Sequence, residues 1–341
     1  MKTCAIISFR LGGTDGVAVV AESWRQALQN LGWHTYTVAG PQLATTTEQT
    51  PVDCFVDGLE IGATEAPDPS DVSTALAKAD LVLCENILSI PLNLPASRVV
   101  ADVLAGRPAI LHHHDLPWQR QRHQNCTELP PPSDRHWRHV VINQLTRQQL
   151  AQRDIAAAVI YNGFDTTVTR SDPVTARRQL GFDDDELVFV HPVRAIDRKN
   201  IPAAVELAEQ LQATYWLTGQ TEENYHHQLA KIFTSAHCKI VRTPAPSIAE
   251  MYAACDLVVF PSIWEGFGNP PVEAAIYRRL AAVGNYPVAA ELRALGFRWL
   301  DPANTDEIAA ALAGDQNLTL NHNQKTVEQH FSAEILSLIH I

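Results

Sequence analysis

Glu265-Gly266-Phe267-Gly268-Asn269-Pro270-Pro271-Val272-Glu273 follows the apolar run Leu257-Val258-Val259-Phe260 and the pair Pro261-Ser262. The run reads as a buried strand, and Pro270 or Pro271 suits the first turn of a helix, where a missing N–H is no loss. Strand, glycine-rich loop and helix start form an anion-binding corner: the glycines allow close backbone approach, and the free N–H groups of the helix point at the ligand. Glu265 in the loop and Glu273 in the first helical turns can both face one cleft as hydroxyl acceptors. The plainer alternative is two solvated carboxylates flanking a helix start.

The same alternation extends in both directions. Upstream, Leu187 to Val190, Thr214 to Leu217 and Leu257 to Phe260 read as strands, with helices over Asn200 to Leu211 and Ile248 to Ala254. Nearer the start, Cys4 to Ser8 reads as a strand, Leu11 to Gly16 as a glycine-rich turn and Val17 to Leu31 as a helix; Thr35 to Val38, Asp80 to Cys84 and Pro108 to Leu111 follow as strands. Short apolar runs alternating with helices make parallel sheets, and sites form at the carboxyl ends of their strands. The rhythm restarts after Tyr161-Asn162-Gly163-Phe164-Asp165, which places a hinge near residue 166 and two similar α/β halves on either side.

Length and composition agree with two folded domains: 341 residues, 46% hydrophobic and 19% charged, leave no room for wholesale disorder. A formal charge of −12 argues against a nucleic-acid surface. Six cysteines scattered without a C-x-x-C read as reduced thiols. The apolar start ends at Arg10, too short for a signal segment, and no window is apolar enough for a membrane helix, so the expected compartment is the cytoplasm.

With these pieces in order, the chain resembles the retaining nucleotide-sugar glycosyltransferases of the GT-B fold, family four, the glycosyl transferases group 1. Glu265 to Glu273 resembles their E-x7-E segment, Gly12-Gly13-Thr14-Asp15-Gly16 their N-terminal glycine loop, and His114-Asp115 their histidine loop. Arg194-Ala195-Ile196-Asp197-Arg198-Lys199 resembles their R-x4-K diphosphate motif, and the resemblance spans roughly residues 1 to 290. It implies two Rossmann-like domains facing each other across a cleft: residues 1–166 on the acceptor side, 167–324 binding the nucleotide sugar, and a C-terminal helix in 325–341 that crosses back to the first domain. The implied reaction moves a hexose from a UDP- or GDP-sugar to an acceptor hydroxyl with retention.

The resemblance also implies roles. Arg194 and Lys199 would stabilise the departing diphosphate, Glu265 would contact the transferred sugar, and His114 would hydrogen-bond near the reaction centre. Gly13, Thr14, the backbone of Gly266, Phe267, Gly268 and Asn269, and the carboxylate of Glu273 would hold the donor. The physical reading concurs, because negative charge grows on the leaving oxygen, where an arginine fork and a lysine point charge complement each other. A solvated charged turn is the alternative for Asp197-Arg198-Lys199. No divalent metal or other cofactor is expected, the nucleotide sugar being a co-substrate. A metal site in His112-His113-His114 is the competing reading, opposed by the way adjacent strand residues point to opposite faces.

Two features depart from the family pattern. His191-Pro192-Val193 stands where a glycine often precedes the motif arginine, and Asp183-Asp184-Asp185 looks like a D-x-D metal motif but reads as a solvated turn. On the acceptor side, Asp115, Trp118, Arg120 and Arg122 follow the histidine loop within an arginine-rich stretch that reaches Arg153. Such arginines fit a small anionic, lipid or glycan acceptor and are compatible with peripheral membrane contact; a solvated helix face is the alternative. Rival functions are a non-catalytic nucleotide-sugar sensor and a GT-B phosphorylase or epimerase, while Gly12 to Gly16 lacks the G-x-G-x-x-G register of a dehydrogenase.

Overall fold

A computed structural model describes residues 1–13, 15–41, 51–120, 131–222 and 224–334. The chain divides into two units, Met1–Gly163 with the chain from Ala333 onward, and Phe164–Ser332.

In the first unit the described strands are β1 (Thr3–Ile7), β2 (His34–Ala39), β3 (Cys54–Phe55), β4 (Leu81–Glu85), β5 (Ala109–His113), β6 (Trp137–Val141) and β7 (Ala157–Val159), all parallel, in the order β3-β2-β1-β4-β5-β6-β7. Helices α1 (Gly16–Asn30), α2 (Pro69–Leu76), α3 (Leu94–Leu104) and α4 (Gln144–Ala151) connect them. Alternation along the strands builds a core on each face. Ala5, Ile7, Val82, Cys84 and Leu111 pack under α2 and α3, whereas Cys4, Ile6, Leu83 and Ile110 pack under Val20, Ala21, Trp24 and Leu28 of α1. A parallel sheet covered on both sides needs near-continuous apolar strands, which is why these segments read so clearly.

The second unit repeats the plan with β8 (Val188–His191), β9 (Thr214–Leu217), β10 (Ile240–Val241), β11 (Leu257–Phe260) and β12 (Leu280–Val283), parallel in the order β10-β9-β8-β11-β12. Its helices are α5 (Pro173–Leu180), α6 (Ile201–Gln210), α7 (His226–Ser235), α8 (Ile248–Ala254), α9 (Asn269–Ile276), α10 (Pro287–Ala294), α11 (Thr305–Ala313) and α12 (Asn317–His330). Strand order reverses between β1 and β4 in one unit and between β8 and β11 in the other, and an open α/β sheet offers its crevice at such switch points.

Elements expected from the sequence shift by a residue or two at their ends. Helix α12 ends at His330, and Phe331 closes onto Phe297 and Phe267 within the second unit. Residues 335–341 lie outside the described residues. Asp183, Asp184 and Asp185 form an exposed turn at the amino end of β8, the opposite end from the loop that carries Arg194 and Lys199. Cys4, Cys54, Cys84, Cys238 and Cys255 are free thiols, and Cys126 lies outside the described residues. No helix among the described residues is long and apolar enough to cross a membrane.

Candidate active site

The second unit's switch point brings together the loops that follow β8 and β11. The backbone N–H of Ile263 donates to the carbonyl of Arg198 at 3.0 Å, and the amide of Asn200 donates to the carbonyl of Pro261 at 3.3 Å, so the two loops are stitched. Across the stitch, Glu265 accepts from Lys199 Nζ at 2.5 Å through one oxygen and from Arg198 Nη1 at 2.5 Å through the other. Burial by itself would raise the Glu265 carboxyl, but Lys199 and Arg198 beside it hold it down at about 2. Burial also pulls the Lys199 ammonium down to about 8, against the opposing influence of Glu265. A strong cation-carboxylate cluster thus sits at the carboxyl ends of β8 and β11.

Arg194 stands apart from that cluster. Its Nη1 donates to Glu222 at 2.7 Å, and both side chains are about one-third exposed. The sequence reading paired Arg194 with Lys199; the structure gives each its own carboxylate and adds Arg198 as the cation that shares Glu265. Arg198 was legible as part of the same charged turn, whereas Glu222 carries no local signal.

Gly268 starts α9 with φ of 102°, and a Cβ there would overlap the Tyr286 hydroxyl, so the loop requires glycine at this position. Gly266, Phe267 and Asn269 complete the turn into the helix, and Phe267 rests on Phe164 and Phe331. Glu273, one helical turn on, accepts from the Tyr252 hydroxyl at 2.7 Å, which leaves its second oxygen for other donors. Desolvation raises its carboxyl despite that hydrogen bond. Below the loop, His191 is fully buried with Nδ1 at 2.9 Å from the Tyr215 hydroxyl, and burial depresses its ring to about 3, so it is a neutral core histidine.

In the first unit, the switch point places the loops after β1, β4 and β5 side by side. Register pairs Glu85 with His112, and His114 lies two residues further on the same face. Glu85, wholly buried, accepts from His112 Nδ1 at 2.9 Å and from His114 Nε2 at 2.7 Å. His113 turns the other way, to Ser89 Oγ at 2.6 Å and His139 Nδ1 at 3.0 Å. Adjacent histidines do diverge, as expected, yet the alternate pair converges on a glutamate from the neighbouring strand. The donor atoms of Glu85, His112 and His114 lie within 4.8 Å of one another. Glu85 directly follows the apolar run of β4, at the strand end where a site was expected.

The remaining candidates are more scattered. Gly13 lies in the turn between β1 and α1, where Asp15 caps the helix through the N–H groups of Val17 and Ala18, and Arg10 pairs with Asp15 at 3.1 Å. The left-handed residue of that turn is Gly12, with φ of 77°. Thr14 and Arg122 lie outside the described residues. Arg120 grips Asp115 with two hydrogen bonds of 2.6 and 3.1 Å, so this arginine is held by a carboxylate of the same loop. Trp118 donates to Gln149 and lies under Arg153, whose guanidinium is 3.7 Å from the ring centre.

Known proteins resemble this arrangement. Residues 174–318 match the family model described as glycosyl transferases group 1. Mannosylglucosylglycerate synthase of Petrotoga mobilis is 25% identical over 86% of this chain and 84% of its own. The protein of the same name from Thermotoga maritima is 24% identical over 97% of each. Among solved structures, HepE of Anabaena in complex with UDP-glucose aligns with a TM-score of 0.78 at 20% identity, over 99% of this chain and 98% of that one. The fold is that of the GT-B glycosyltransferases, with two Rossmann-like parallel-sheet units. The chain carries a glycosyl transferases group 1 domain and is a glycosyltransferase.

Proposed function

We propose that the chain transfers a hexose from a UDP- or GDP-sugar to a hydroxyl of a small acidic acceptor, with retention at the anomeric carbon and no divalent metal at the diphosphate. The observation that carries this reading is the pairing of Lys199 and Arg198 on Glu265 beside the N-terminus of α9. A departing diphosphate develops negative charge, and fixed cations with helix N–H groups stabilise it without an ion. Arg194 adds a guanidinium that exchanges Glu222 for phosphate oxygens. Glu273, with one oxygen on Tyr252, holds the ribose hydroxyls with the other, and Glu265 contacts hydroxyls of the transferred sugar. His114 accepts a hydrogen bond from a sugar or acceptor hydroxyl in the first unit. The names of the curated relatives, mannosylglucosylglycerate synthases, support a glycoside of a small hydroxy acid as the acceptor.

The test is thermal stabilisation by nucleoside diphosphates and their sugars, with and without EDTA. A ligand at 100 times its dissociation constant adds roughly 2.7 kcal/mol to stability. The expected result is a melting shift selective for one base that survives EDTA and disappears in Lys199→Ala. A shift that requires a divalent cation contradicts the metal-free reading, and no shift with any donor contradicts the donor site itself.

A further inference from the structure

We infer that Glu85 is a positioning residue of the first unit's site, fixing the tautomer of His114 so that Nδ1 is the hydrogen-bond-accepting nitrogen; this rests on the role proposed for His114. An ionised carboxylate can only accept hydrogen bonds. Both imidazole nitrogens that touch Glu85 must therefore carry the proton: Nδ1 of His112 at 2.9 Å and Nε2 of His114 at 2.7 Å. With Nε2 of His114 committed as a donor, its Nδ1 holds the lone pair of the neutral ring. The loop backbone is pinned to the same strand end, because Asn86 Oδ1 accepts from the N–H of His114 at 3.1 Å and of Asp115 at 3.3 Å. A carboxylate behind an imidazole holds ring orientation and tautomer and strengthens the basicity of the far nitrogen.

The alternative use of this trio is a metal ion, and the geometry favours protons. Ligands about 2.0–2.1 Å from one tetrahedral ion stand roughly 3.3 Å apart, whereas Glu85 lies 2.7 and 2.9 Å from its two histidines, within hydrogen-bond range. A metal-bound histidine almost always donates its other N–H to an acceptor. His112 Nε2 is instead buried with no hydrogen-bond partner, and the ring packs on Trp24 with centroids 5.0 Å apart. In the Nδ1–H tautomer that nitrogen carries no proton, so no N–H is buried without an acceptor.

The full-length protein, labelled with ¹⁵N-histidine, reads the tautomer directly by NMR, with the His114 signals assigned by difference from His114→Gln. The expected wild-type spectrum has Nε2 of His114 protonated and Nδ1 bare. Both rings meet the same oxygen, Oε2, so the test variant is Glu85→Leu, which offers neither ring an acceptor, and His114 is expected there to shift toward the Nδ1–H form. Donor turnover in that variant should fall roughly tenfold to a thousandfold in kcat, with the donor KM within about threefold. A wild-type His114 protonated at Nδ1 overturns the inference even if Glu85→Leu does not fold. So do an unchanged tautomer and kcat in Glu85→Leu, or one equivalent of transition metal in the purified wild type that is lost in the variant. The spectrum needs no turnover, so a wild type that consumes no nucleotide sugar counts against the proposed function alone.

Discussion

The ammonium of Lys199 lies 2.5 Å from one oxygen of Glu265, and the other oxygen is taken by Arg198 at the same distance. Two cations from the loop after β8 thus converge on one carboxylate from the loop after β11. In the proposed function the donor diphosphate enters this corner, where cations held in direction by a carboxylate would stabilise the leaving group at little reorganisation cost.

Replacing Lys199 removes one cation and leaves Glu265 held by Arg198. Lys199→Ala is therefore expected to fold and to lose roughly two to four orders of magnitude in kcat, as removal of a preorganised charge does. Circular dichroism and steady-state kinetics check both halves. Turnover within a few-fold of wild type would take Lys199 out of the site.

Glu273→Ala tests the donor side of the same corner. Its carboxylate is the ribose acceptor in the proposed function, and its loss leaves the Tyr252 hydroxyl only the longer hydrogen bond to the Pro270 carbonyl at 3.3 Å. A rise in donor KM is expected together with a stability loss of about 1 kcal/mol. The double variant Glu273→Ala/Tyr252→Phe should recover part of the stability and none of the affinity, measured by thermal melts and calorimetric titration.

Donor affinity should depend on pH through Lys199. Burial sets its ammonium at about 8, below the ordinary lysine value of 10.5, so the charged form is complete below that pH and is lost as pH rises through it. Calorimetric dissociation constants should weaken by roughly tenfold between pH 7 and pH 9 and show no such slope in Lys199→Ala. Equal slopes in both proteins would assign the titration elsewhere.

Stability at low pH should reflect His191. Buried and neutral in the fold with its ring depressed to about 3, it binds a proton only in the unfolded chain between pH 6.5 and 3. The unfolded state then holds more protons, so stability falls as pH drops through that window. His191→Gln, though less stable at neutral pH, should have a flatter Tm profile from pH 6.5 to 4. An unchanged slope would show that His191 is not a source of the acid sensitivity.

The loop glycine gives a structural prediction. With φ of 102° and the Tyr286 hydroxyl where a Cβ would stand, Gly268→Ala should cost about 1–3 kcal/mol and displace the start of α9. Chemical denaturation measures the first effect, and weakened donor binding reports the second.

The fold was legible because a parallel sheet buried on both faces demands apolar strands, and a run such as Leu257–Phe260 has no polar interruption. The glycine loop with Glu265 and Glu273 was legible because its chemistry is contiguous. The partners were less so. Glu85 reaches His112 and His114 across 27 and 29 residues, and Glu222 reaches Arg194 across 28. Strand register and loop packing bring those pairs together, and neither is written in local spacing. The turn Asp197-Arg198-Lys199 offered two cations, and only the approach of Glu265 reveals that Arg198 and Lys199, rather than Arg194 and Lys199, share a carboxylate.

The most direct measurement is real-time proton NMR of an α-linked UDP- or GDP-hexose with the protein and a panel of small hydroxy-acid glycosides in EDTA. The account predicts loss of the donor anomeric signal, release of nucleoside diphosphate and one new α-configured anomeric signal, absent with Lys199→Ala. A product of inverted configuration, or a donor left untouched by every acceptor, would contradict it.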